Sequence, residues 1–141
     1  MQPLMQRVLP DVLWNSTLFR FAFIGGVGFI VDSSVFAGAL YFFLLPLFPA
    51  RATAFICSAS ATWLGNRIFT FNQTGGNLFK QWRNFLVSAC ISAVPNFMVF
   101  TLVVSWFGQG GYMPFIALVC GILTGMFSNY FLCTRWVFVK G

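Results

Sequence analysis

Two kinds of side chain in this sequence are equipped for chemistry, and both are scarce. Asp32 is one of two acidic residues in 141, and it stands alone inside the apolar run Phe21–Leu45. Arg20, Arg67, Arg83 and Arg135 each mark the edge of an apolar run, while Asn66, Asn96 and Asn129 lie within or at the ends of such runs. Guanidinium groups hold phosphate through paired donors. Amides hydrogen-bond hydroxyls, and a carboxylate inside a span marks a substrate, ion or proton path. The chemistry on offer is anion handling, as of a phosphate head group attached to a lipid tail. Histidine is absent, and Cys57, Cys90, Cys120 and Cys133 are scattered singly, without a CxxC pair or metal spacing. We therefore expect a non-enzyme with no cofactor and no metal.

The elements that must position these residues are membrane spans. Mean hydropathy is +0.84 and only 7% of residues are charged, against about 25% in an ordinary soluble domain. The 25 residues Phe21–Leu45 would make a helix of about 37 Å, longer than the ~30 Å hydrocarbon core of a bilayer. The expected fold is an all-α integral membrane protein of four transmembrane helices, at about 21–43, 50–70, 84–107 and 113–134. Residues 1–18 form a short segment before a four-span domain at 19–141. Only fifteen uncharged residues separate Arg51 from Arg67, so both must snorkel or one must turn inward to a polar site. The loop from Asn72 to Trp82 carries Gly75 and Gly76 as a turn signal.

Basic residues set the orientation. Arg7, Arg20, Arg67, Lys80, Arg83, Arg135 and Lys140 fall on one side of a four-span chain, and Arg51 alone lies opposite. Both termini are expected to be cytoplasmic. The net charge of +6 is thus a matter of topology and anionic head groups, with no nucleic acid implied. Trp14, Trp82, Trp106, Tyr112 and Trp136 mark the span ends as an aromatic belt.

The two halves resemble each other. Phe21 to Asp32 and Phe85 to Asn96 are both eleven-residue steps, and each half closes on a similar hexamer, Asn66–Phe71 or Cys133–Phe138. Two spans per half make this a parallel repeat of two hairpins, with an expected pseudo-two-fold axis along the membrane normal. Each span also carries a small or polar row at helical spacing: Gly25, Gly28 and Asp32; Ser58, Thr62 and Asn66; Asn84, Ser88, Ser92 and Asn96; Gly121, Gly125 and Asn129. Such rows serve close helix packing. With an Asp or Asn on each, they also suit the lining of a polar cleft.

These motifs resemble the GtrA-like membrane proteins. The carriers are Phe21 to Asp32 with Gly25 and Gly26, the run Asn66-Arg67-Ile68-Phe69-Thr70-Phe71, and Asn129-Tyr130 followed by Arg135-Trp136-Val137-Phe138. The resemblance spans about residues 19–139. It implies a multi-pass protein of the bacterial inner membrane that moves a polyprenyl-phosphate-linked sugar, typically undecaprenyl-phosphate glucose, beside a glycosyltransferase that makes that lipid. On matching positions it points to Asp32, Asn66, Arg67, Asn129 and Arg135. Phe69 stands where tryptophan is common, and Cys133-Thr134 stands where an Asn-Arg pair would be, so the two halves need not be equivalent. To the substrate-binding set we add Arg20, which sits at the inner end of the first span, and Asn96, which matches Asp32 in the second half. Two other readings stay open: an adaptor that anchors the glycosyltransferase, and a small exporter of hydrophobic solutes. Four spans are few for a closed pathway, so a homo-oligomer is expected.

Overall fold

The computed structural model describes residues 14–139. The expected start of the N-terminal segment, with Arg7, and the terminal Lys140 lie outside them. Four α-helices and two π-helical turns make up the described residues, and the chain divides into two compact units between Gly76 and Asn77.

In the first unit, helix α1 covers Thr17–Tyr41 and helix α2 covers Leu47–Gly65. The Ser16 side chain accepts from the Phe19 N–H and starts α1 four residues before the expected span. Pro46 precedes α2, where its missing N–H costs nothing. The connection bends through Leu44 in the left-handed region, at φ 50°. Helix α2 runs on into a π turn over Asn66–Thr70. Contacts pass from Asp32–Arg51 through Gly28–Ser58 and Gly65–Ile24 to Phe21–Phe71, which makes the pair antiparallel.

The second unit repeats this plan. Helix α3 covers Leu78–Phe107, helix α4 covers Met113–Leu132, and a π turn follows over Cys133–Val137. The Asn77 side chain caps α3 by accepting from the Lys80 N–H. This cap places the start of α3 six residues before the expected span and takes Trp82 out of the loop. Gly108 ends α3 at φ 82°, a conformation that suits glycine. Here the contacts pass from Asn96–Gly121 and Asn96–Gly125 through Ser88–Asn129 to Phe85–Phe138.

Helices α1 and α3, and α4 with its π turn, are long and apolar enough to cross a membrane. Helix α2 is not among them, because Arg51, Ser58, Ser60 and Thr62 lower its hydropathy. It lies along α1 and completes a four-helix membrane fold. Fourteen of the twenty phenylalanines are exposed, the side-chain distribution of a surface that meets lipid. The buried exceptions, Phe21, Phe85 and Phe138, form the ends of the two hairpins.

Candidate functional site

The first hairpin holds the charge chemistry. Asp32 sits on α1, three turns short of its end, and Arg51 sits in the second turn of α2. Arg51 Nη1 donates to Asp32 Oδ2 at 2.6 Å. The guanidinium also lies over the Phe36 ring, 5.6 Å from its centroid. The carboxylate is the covered partner, its side chain 19% exposed, and the cation is the open one, at 57%. Asp32 is thus neutralised within its own hairpin.

Below this pair the small row of α1 is taken up by packing. Gly28 is buried against α2, where Ser58 Oγ donates to the Gly28 carbonyl at 2.7 Å, and a Cβ at Gly28 would strike the Thr62 methyl group. Thr62 turns its hydroxyl back to the Ser58 carbonyl. The rows expected to line a cleft instead close on each other inside the hairpin, because only small residues allow helices this close. Gly25 is the exception and faces open space.

At the basic end of the hairpin, the π turn buries Asn66, Arg67 and Thr70. Thr70 Oγ1 donates to Asn66 Oδ1 at 2.7 Å. The Arg67 guanidinium reaches across the following loop, with Nη2 donating to the Gly75 carbonyl at 3.0 Å, while the Gln73 N–H bonds the Arg67 carbonyl. Arg67 is therefore the inward-turned arginine of the short span, and it clasps the loop that leaves this half.

Arg20 is placed differently. It borders a cavity of about 270 Å³ whose other walls are Trp14, Phe23, Ile24, Val27, Ala61, Gly65 and Phe69. Every other wall is apolar, and Arg20 Nε is buried there without a hydrogen-bond partner. An unsatisfied buried donor on a cation is costly, and Arg20 is the one charged residue at the rim of this otherwise apolar groove.

The second hairpin is polar without charge. Asn96, the counterpart of Asp32, lies against Gly121 and Gly125; a Cβ at Gly121 would stand 2.7 Å from Asn96 Oδ1 and 2.8 Å from the Asn96 carbonyl. Asn129 Oδ1 accepts from Ser88 Oγ at 2.7 Å, and the buried Cys133 thiol lies 3.7 Å from the same oxygen. Arg135 is exposed, its guanidinium 5.4 Å from the Phe131 ring centroid. It occupies the third position of its π turn, whereas Arg67 occupies the second of the first, and that one-residue offset points the two arginines to different surroundings.

Of the expected site residues, Asn66 and Arg67 share one buried turn, and Arg20 borders a groove at the same end of that hairpin. Asp32 lies twelve residues further along α1, about 18 Å away. Asn96 and Asn129 sit in separate clusters of the second hairpin. The pairing of Arg51 with Asp32 was not among the expectations. The available signal was charge: Asp32 and Arg51 are the only formal charges between Arg20 and Arg67, and two opposite charges in one apolar hairpin favour pairing.

A comparison with curated proteins returns no match. The GtrA/DPMS transmembrane domain matches residues 20–138, which takes in both π turns, all but the first three residues of the helices and every expected site residue from Arg20 to Arg135. The chain therefore belongs to the GtrA/DPMS transmembrane-domain family and is a multi-pass membrane protein.

Proposed function

We propose that this protein translocates a polyprenyl-phosphate-linked sugar, undecaprenyl-phosphate glucose being the type expected, across the bacterial inner membrane for glycosylation of surface polysaccharide. It acts as a carrier without covalent chemistry, as a homo-oligomer, beside the glycosyltransferase that makes the lipid. Both termini and the loop between the hairpins face the cytoplasm.

The observation that carries this reading is the groove at Arg20. It sets the Arg20 guanidinium, whose buried Nε–H lacks a partner, beside a wall of six apolar side chains and Gly65, and a cation next to an apolar wall suits a phosphate on a hydrocarbon chain. Phosphate binds the guanidinium edge through charge-assisted hydrogen bonds, and the first part of the prenyl chain lies along Phe23, Val27 and Phe69. Arg67 acts from behind, holding the loop at Gly75 and so the π turn that carries Phe69.

Proteoliposomes loaded with a polyprenyl-phosphate sugar on one leaflet test the proposal. Protein-dependent appearance of the lipid in the other leaflet is expected, with about a tenfold loss in Arg20→Gln, as removal of a charge-assisted hydrogen bond entails. Transfer no faster than in protein-free liposomes would overturn translocation and favour the adaptor. Transfer of lipophilic cations in its place would favour the exporter.

A further inference from the structure

We infer that Arg51 is a second anion-receiving site, at which the phosphate of the transported lipid displaces the Asp32 carboxylate. The inference rests on the proposed lipid-phosphate substrate and assigns a role to a pair that the groove at Arg20 does not involve.

Three features of the pair point to a ligand. The first is its asymmetry: an ion pair that served only to neutralise Asp32 would hide both charges, yet here the anion is covered and the cation presented. The second is unused donor capacity. A guanidinium has five N–H donors; one goes to Asp32 Oδ2, and no other hydrogen bond joins Arg51 to a described residue. The Phe36 ring holds the guanidinium by one face, which leaves its edge open. The third is depth. Beyond Arg51 the hairpin continues through Tyr41, Phe42, Phe43, Leu44, Leu47 and Phe48, all exposed and all but Tyr41 wholly apolar. A cation at the water interface would not be followed by such a tip. Arg51 is therefore flanked by an apolar tip, bonded to Asp32 through one donor and open along the rest of its edge.

Exchange keeps the cation paired throughout. A phosphate arriving on its prenyl chain takes the free guanidinium edge through two parallel hydrogen bonds and loosens Asp32 from Nη1, the displaced carboxylate taking up a proton from the aqueous side so that no bare anion is left in hydrocarbon. When the lipid leaves, Asp32 gives up that proton and its carboxylate closes on the guanidinium again, so the cation never stands alone in hydrocarbon. Asp32 is thus a built-in competitor that keeps phosphate binding weak enough for release, which transport needs as much as capture. Apart from that proton, nothing covalent changes.

The test is binding of farnesyl phosphate to the full-length protein in detergent micelles, the reference protein and every variant carrying Arg20→Gln so that the first site does not take the probe, run beside the transfer assay on protein that keeps Arg20. Arg51→Gln is expected to weaken binding about tenfold or more. Asp32→Asn is expected to tighten it several-fold while slowing transfer, and the double variant should bind like Arg51→Gln. Arg51→Lys, which keeps the charge and loses the fork, should fall between the reference protein and Arg51→Gln. A structural pair gives a different pattern: both single variants weaken binding or elute as aggregates, and the uncharged double variant recovers. That pattern would overturn the inference, as would farnesyl phosphate binding unchanged by Arg51→Gln or absent from the reference protein. Inorganic phosphate at equal concentration should not compete; competition would show a site fed from water and would overturn exchange with lipid. Because binding is read apart from transfer, wild-type transfer with an Arg51-independent Kd would sink this inference and leave the proposed function standing.

Discussion

The two hairpins share a skeleton and differ in what they hang on it. In each, a buried phenylalanine near the start of the first helix meets, edge to face, the phenylalanine that follows the π turn: Phe21 with Phe71 at 6.4 Å, and Phe85 with Phe138 at 6.2 Å. Steps of three, four and four residues then lead from Phe21 to Ile24, Gly28 and Asp32, and from Phe85 to Ser88, Ser92 and Asn96. At the last step the hairpins part. Asp32 carries a charge and draws Arg51 to it; Asn96 is neutral and rests on two glycines. What is repeated is the packing that holds two helices together in lipid, where close contact replaces the hydrophobic drive. What is not repeated is charge, and that difference gives the first hairpin alone, among the described residues, an ion pair.

The largest test of this comparison is of the shared skeleton. Phe21→Ala and Phe85→Ala should each cost about 3 kcal/mol, the usual price of emptying a buried ring site, seen as a lower Tm in detergent micelles. Equal losses would support a duplicated latch, and a silent variant in either half would break the parallel.

A smaller effect separates glycines that touch from glycines that do not. Gly121→Ala would push a methyl group against the Asn96 carbonyl, a backbone atom that cannot rotate away, at a cost of about 1–3 kcal/mol. Gly25→Ala meets open space and should raise helix stability by about 0.5–1 kcal/mol. Thermal unfolding of both variants reads the contrast, and a Gly121→Ala protein as stable as wild type would refute the close approach.

The smallest effect concerns the two π-turn arginines. Arg67→Ala frees the Gly75 carbonyl and should cost about 1.5 kcal/mol, with faster protease cleavage between Asn72 and Asn77. Arg135→Ala should stay within about 0.5 kcal/mol of wild type, as exposed substitutions usually do, and leave that cleavage unchanged. Equal cleavage of the two variants would erase the difference drawn between the turns.

The division into halves was legible because it rests on local signals: the glycines at 75 and 76, the matched eleven-residue steps and the matched closing hexamers. Helix starts were legible to within four to six residues, the error arising at Ser16 and Asn77, whose caps extend the helices beyond their apolar cores. The small rows were legible as faces, but their use was not. Gly28 and Gly121 look alike in sequence, yet whether such a face lines a cleft or meets a neighbour depends on the partner helix. That Arg51 and Arg67 must both snorkel or one turn inward was legible, whereas which one turns, and that its target is a carbonyl eight residues on, depends on how the loop folds back.

By itself, then, the sequence determined that this is a multi-pass helical membrane protein in two similar halves, with its basic residues gathered toward one side. Those properties follow from composition and period, which each segment carries alone. Only the tertiary structure decided that Arg51 reaches Asp32, that Arg20 borders an apolar groove and that Arg135 does not match Arg67. Each of these depends on the register of two antiparallel helices or on a one-residue offset in a π turn, and at 100° per residue in a helix a small shift re-aims a side chain altogether.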